Sequence, residues 1–273
     1  MKSEKLVSVC VPVYNGAQTI KETLDAVFNQ SYLNMEVIVV DNCSTDDTMK
    51  ILQSYADQRL SIYQNETNLG MVGNWNKCLD YVTGEYIQFV CADDILREDC
   101  VEKKVDLIES DDSLSMVFGA SQIINETGKL LMERHEFKSD CIVEGKKLAK
   151  KAYRLKNLYG EPTNVLFKSK YIPVVGKFAI NTCYTTDLDM WIRISCQGKV
   201  GYIDEPLIKY RISTMNETSK ISYKKLLEDN KEMIRNIYSY SCLDVSPFDV
   251  CIRKFMYFSR MIARQCFMCL KRR

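Results

Sequence analysis

Histidine is nearly missing from this 273-residue chain, which has only His135. A metal or catalytic centre built on several imidazoles is therefore excluded. Cysteine does not fill the gap, although there are 12. Many lie inside apolar runs, as Cys10, Cys78, Cys91, Cys183 and Cys196 do, and read as reduced thiols acting as small hydrophobes. The one close pair, Cys266 and Cys269, lacks the two further ligands a zinc site needs. Net charge is also short: 37 basic against 36 acidic residues leave +1, so no global field draws the chain to nucleic acid. No apolar run approaches the roughly 20 residues of a membrane span. The polar start Met1–Lys5 leads to no small-residue cleavage site, so the expectation is a cytoplasmic protein. A glycine-rich phosphate loop is absent too, since Gly16 is followed by Ala-Gln-Thr. That excludes a dinucleotide fingerprint and a P-loop, and it argues against a nucleotidyltransferase.

What is present is an ordinary globular composition, 46% apolar, with a strong alternation of elements. Leu6–Val13, Met35–Val40, Leu60–Tyr63 and Glu85–Cys91 read as strands, the valine-rich ones buried on both faces. Between them come helical stripes. Ile20, Leu24, Val27 and Phe28 follow a Thr19/Glu22 capping box. Thr48, Ile51, Leu52 and Tyr55 follow Ser44 as cap, and Trp75, Cys78, Leu79 and Val82 end at Gly84. This order predicts an α/β fold with a mostly parallel sheet flanked by helices. Beyond it, Leu114–Ile124 and Lys129–Glu133 read as a hairpin around residues 125–128. Lys146–Leu155 and Asp187–Cys196 read as helices, the second buried all round. Val200–Ile203 and Leu207–Arg211 read as two late strands, and the chain from about Ser219 as a separable helical part.

Ligands of open α/β sheets bind beyond the carboxyl ends of the strands. Asp93-Asp94 ends a strand, and two adjacent carboxylates repel unless a cation compensates them. Hard oxygen donors suit Mg²⁺ or Mn²⁺. The competing reading, of equal weight on these residues alone, has Asp94 capping a helix and Asp93 solvated. Asp41 ends another strand, either as a ligand for a base or sugar or as a turn residue in Asp-Asn-Cys-Ser, and alone the turn is favoured. Asp187 opens the buried helix, either as a general base or as a first-turn acid favoured by the helix dipole, and alone the dipole reading is favoured. Asp189, two residues on, shares no helix face with it.

Taken together, residues 7–16, 39–48, Asn68–Gly70 with Asn74, 84–94, 186–191, 201–206 and Tyr210-Arg211 resemble the family 2 glycosyltransferases, which have the GT-A fold. The resemblance spans residues 6 to about 214. It implies that Pro12, Val13 and Tyr14 line a nucleotide-base pocket and that Asp41 binds the base. Asn68, Gly70, Asn74 and Ala92 would lie at the nucleotide, Asp93 would hold Mg²⁺ or Mn²⁺, and Asp187 would deprotonate the acceptor. It also implies an inverting transfer from a nucleotide-diphosphate sugar, UDP-linked by family habit, in polysaccharide or glycoconjugate synthesis. The sequence departs from the family pattern at Cys91, Thr186 and Ser213, where relatives carry an acid, an acid and a histidine. Those departures motivate the alternative of an inactive nucleotide-sugar-binding subunit. The expected organisation is a catalytic domain over 1–215 (nucleotide half 1–110, acceptor half 111–215) and a helical extension over 216–273. Residues 249–273 carry seven basic residues and one acid, interleaved with aromatics. That composition suits an amphipathic helix on an anionic membrane, close to a glycan or lipid-linked acceptor, or a C-terminal helix packed on the domain.

Overall fold

The computed structural model describes residues 4–213 and 221–271, with side chains to residue 262. Strands β1 (Val7–Val13), β2 (Met35–Asp41), β3 (Leu60–Gln64) and β4 (Tyr86–Phe89) form the parallel half of one sheet. Val13 pairs with Asp41 in register, so the ends of β1 and β2 finish level. Every residue of β1 is buried, which is why it reads as an unbroken apolar run. Helices α1 (Ile20–Phe28), α2 (Thr48–Leu52) and α3 (Gly70–Leu79) connect these strands. The rest of the sheet is mixed. It adds β5 (Ile95–Leu96), β6 (Leu114–Ile124), β7 (Leu130–Arg134), β8 (Cys141–Glu144), β9 (Val165–Lys168) and β10 (Lys199–Arg211). The order is β3-β2-β1-β4-β9-β6-β10-β5, with β7 on β6 and β8 on β10.

Alternation along the strands sends side chains to two cores. Val9, Val11 and Val37 meet α1 and α4 (Cys100–Ser110) on one face. Cys10, Ile38 and Val40 meet α3, α5 (Gly145–Arg154) and α7 (Thr186–Ser195) on the other. The short α6 (Ile172–Val175) lies beside α7. Helices α8 (Tyr223–Tyr240) and α9 (Pro247–Lys271) close the chain.

Several expectations are corrected. Thr19 and Glu22 form no capping box: the Thr19 hydroxyl donates to the Ala92 carbonyl at 2.8 Å, and Glu22 pairs with Arg211. Ser44 does not cap α2, because its Oγ accepts from the Asn15 amide at 2.8 Å. The two late strands are one, β10, with register shifts around Pro206. Nor do α8 and α9 stand apart from the body. Asp249 of α9 is fully buried against Lys150 and Arg154 of α5, and Met233 and Ile237 of α8 join the core beside α7. The described cysteines are all free thiols, while Cys266 and Cys269 fall outside the described side chains. No described helix is long and apolar enough to cross a membrane.

Candidate active site

A cleft of about 1060 Å³ lies over the ends of β1, β2 and β4. Its lining includes Pro12, Val13, Tyr14, Asn68, Gly70, Asn74, Ala92, Asp93 and Asp187. Asp41 is not among them. It is fully buried, with Oδ2 accepting from the Ser44 amide at 3.1 Å and from Gln64 Nε2 at 3.0 Å, and with Oδ1 unpartnered. The neighbour Asn42 borders the cleft instead and organises its wall: Nδ2 donates to Asn68 Oδ1 at 2.8 Å, and Oδ1 accepts from the Leu69 amide at 2.9 Å. Asn74 donates to the carbonyls of Val40 and Val13 at 3.0 and 3.4 Å, so it ties α3 to the strand ends. Gly70 has φ of 73°, a left-handed backbone that strains any side chain, at the start of α3.

The Asp93-Asp94 turn is fixed from three sides. Thr23 Oγ1 donates to the Asp94 carbonyl at 2.9 Å, and Arg211 Nε donates to the Asp93 carbonyl at 3.0 Å. Asp94 caps no helix. It is buried, accepting from the Thr163 hydroxyl and from the Arg211 amide at 3.1 Å. Burial raises the pKa of both carboxylates; the Asp93 charge raises that of Asp94 further, while Arg211 opposes the rise at Asp93. Cys91 lies with them. Burial, then Asp94 and Asp93, pushes its thiol well up, so it stays neutral.

A divalent ion suits this turn in one way. Among the described residues no group of three His, Cys, Asp or Glu side chains could cage a metal. Asp93 borders the cleft, and no described side chain donates a hydrogen bond to its carboxylate. Mg²⁺ and Mn²⁺ use one or two such carboxylates when phosphates and waters complete the shell. The donor set therefore fits an ion whose shell is completed by phosphate and water oxygens.

Asp187 sits in the first turn of α7. Its Oδ2 accepts from Asn157 Nδ2 at 2.9 Å and its Oδ1 from the Leu188 amide at 2.7 Å. Burial raises its pKa to about 7, assisted by Glu161 and Asp229 and opposed by the Leu188 amide. That value suits a base working near neutrality. The loop that delivers Asp187 is held from α8. Asp229 accepts from the Cys183 amide, from the Tyr184 and Thr185 amides at 3.0 Å, and from the Thr185 hydroxyl at 2.7 Å. Farther along α7, Asp189 and Arg193 form a buried pair at 2.6 Å and are unavailable to the cleft. Sequence reasoning missed Asn42, Asn157 and Asp229. No local pattern marks them, because each acts on a partner distant in the chain.

Known proteins share the family and the fold. The family model described as "Glycosyl transferase family 2" matches residues 8–173. An uncharacterized glycosyltransferase of Haemophilus influenzae is 29% identical over 245 residues, covering 88% of this chain and 75% of its own. One from Rickettsia conorii is 30% identical over 220 residues, covering 80% of this chain but 36% of the longer relative. Among solved structures, S. aureus TarS 1-349 in complex with UDP-GlcNAc superposes with a TM-score of 0.75 at 21% identity, covering 93% of this chain and 72% of that one. A Pyrobaculum calidifontis mannosyltransferase in complex with GDP-Man and Mn²⁺ gives a TM-score of 0.57 at 19% identity, covering 93% and 68%. The fold is thus of the GT-A type, and the chain belongs to glycosyl transferase family 2.

Proposed function

We propose that this chain transfers a sugar from a UDP-linked donor to an acceptor hydroxyl with inversion, in the synthesis of a polysaccharide or glycoconjugate. The observation that carries this reading is that Asp93 and Asp187 line one cleft together with Pro12–Tyr14. The base stacks against Pro12, Val13 and Tyr14, while Asn42, Asn68 and Gly70 border the ribose and diphosphate. Asp41 anchors the turn behind them. Asp93 would hold Mg²⁺ or Mn²⁺, which when bound neutralises charge on the departing diphosphate. The acceptor oxygen bonds to the anomeric carbon as the bond from that carbon to the diphosphate oxygen breaks on the opposite face. Asp187 takes the acceptor proton. An inactive binding subunit is disfavoured by a carboxylate already poised near neutrality.

Thermal unfolding with a panel of nucleotide sugars and Mn²⁺ tests the donor. At a hundred times its dissociation constant the right nucleotide adds about 2.7 kcal/mol to stability, a rise of a few degrees. A panel in which no nucleotide moves the transition overturns the proposal.

Membrane contact from the inner face of the cell membrane is part of this reading. Helix α9 has two faces. Tyr257 and Met261 are each 6% exposed, whereas Phe248, Phe255, Phe258 and Ile262 are 69, 70, 50 and 46% exposed on the opposite side. An exposed aromatic face, on a helix that also exposes Lys254, suits an anionic bilayer holding a lipid-linked acceptor. Each buried Phe contributes about 1.5–3 kcal/mol. Phe255→Ser with Phe258→Ser should therefore leave the protein in the supernatant when it is spun with phosphatidylserine vesicles, while the parent pellets. Equal pelleting of both would remove the membrane from the proposal.

A further inference from the structure

The cleft holds cations that the transfer step leaves unused. Among the described residues, five basic side chains line it: Arg134, Lys156, Arg211, Arg253 and Arg260. Arg134 pairs with Glu161, Lys156 with Glu136, and Arg211 with Glu22. Arg253 and Arg260, both on α9, bond to no carboxylate among the described residues. Arg253 is 1% exposed. Its Nη1 donates to the Tyr153 carbonyl at 2.8 Å, but Nε and Nη2 have no partner. Its guanidinium lies between aromatic rings, 5.1 Å from the centre of Tyr153 and 6.0 Å from that of Tyr257. Arg260, two turns on along the same face, donates Nε to the Met256 carbonyl at 3.0 Å. Leaving guanidinium donors unmet inside a protein is costly, and an arriving oxyanion satisfies both the charge and the fork geometry.

The place of this pair in the cleft indicates which ligand it serves. The charged and polar groups that act on Arg253 are Tyr153, Arg260, Tyr257 and Asp229, and those that act on Arg260 are Tyr184 and Tyr257. None of them belongs to the ends of β1 or β2. Tyr184 and Asp229 belong to the loop that carries Asp187 and to its anchor. Nor does Asp229 neutralise Arg253 by a direct bond, because its oxygens are taken by the amides of residues 183–185 and the Thr185 hydroxyl.

We propose that Arg253 and Arg260 form an oxyanion subsite on the acceptor side of the cleft, so that the hydroxyl receiving the sugar is carried by a phosphate- or carboxylate-bearing molecule. This rests on the reading of Asp187 as the acceptor base. It makes α9 part of the active site and gives the two helices after residue 220 a reason to be docked on the body.

Calorimetric titration of the full chain in metal-free buffer tests it, with glycerol phosphate, glucuronate and neutral glycerol as probes. Glycerol phosphate or glucuronate should bind where glycerol does not, and the stronger of the two identifies the source of the charge. Arg260→Gln should weaken that binding about tenfold, the effect of losing one charge-assisted contact. Arg253→Gln should do the same, and Arg253→Lys, which keeps the charge without the fork, should recover part of the loss. Wild-type affinity for the anions no better than for glycerol overturns the subsite. Unchanged anion affinity in Arg260→Gln and in folded Arg253→Lys does so as well. UDP with Mn²⁺, titrated separately, should bind the parent and Arg260→Gln equally. If UDP binds neither, the donor reading fails, while the anion titrations still decide the subsite.

Discussion

Replacing Asp187 by Asn is expected to slow sugar transfer by about 10³-fold, within the range general-base catalysis contributes, while UDP binding stays as it was. The substitution keeps the shape of the side chain and the contact to Leu188 N, since an amide oxygen still accepts there, but its Nδ2 cannot accept from Asn157 Nδ2. It removes the capacity to take a proton together with that one bond. The pH profile gives an independent readout. Burial holds the Asp187 pKa near 7, so below that pH the carboxyl is protonated and cannot act as base. The parent kcat/KM should rise as pH increases through about 7 and then level off, and the residual rate of the Asn variant should lack that rise. Stability runs in the opposite direction. A carboxyl whose folded pKa exceeds its unfolded value stabilises the fold at low pH, and that contribution is lost as pH rises through 7. The Asn variant carries no such penalty, so the difference in melting temperature should move in its favour as pH rises from about 5 to 8. A variant that turns over at the parental rate would show that another group takes the proton.

The strand ends were legible in the sequence because they belong to strands buried on both faces. Val7–Val13 and Met35–Asp41 pack against helices above and below, and only uninterrupted apolar side chains satisfy that demand. The later strands were harder to see. β8 alternates between intermediate and exposed residues along its edge position, and β9 has four residues directly after the Pro162–Asn164 turn, too few to display a period. Helix α4 has its apolar spacing broken by Lys104, buried and donating to Gln88 Oε1 at 3.0 Å. The local capping signals misled for one reason. Thr19, Glu22 and Ser44 use their polar atoms on partners far along the chain, Ala92, Arg211 and Asn15, and those contacts assemble the cleft. Asp229 lies 44 residues or more from the amides it holds, a relation that no spacing rule contains.

Asp93→Ala should cost as much as the loss of the base, and the reason lies in how little else the turn provides. Its partner Asp94 is buried and committed to Thr163 and the Arg211 amide, so it cannot swing out as a substitute. Cys91, two residues before Asp93, is held as a neutral thiol by burial and by the neighbouring carboxylates. Arg211 is bound to the Asp93 carbonyl and to Glu22, so it offers no free positive charge to a diphosphate here. Removing the Asp93 carboxylate therefore takes away the only ligand in this turn able to anchor Mn²⁺, and transfer should fall by about 10³-fold, a loss of several kcal/mol in leaving-group stabilisation. Calorimetry separates this from simple misfolding. In the parent, Mn²⁺ should tighten UDP binding, whereas in Asp93→Ala the metal should make no difference and metal-free UDP should bind as it does to the parent. The main-chain bonds from Thr23 and Arg211 hold the turn in the variant, because they go to the Asp94 and Asp93 carbonyls and not to the deleted side chain. If Mn²⁺ still tightens UDP binding to Asp93→Ala, the ion is anchored elsewhere in the cleft and the assignment of residue 93 fails.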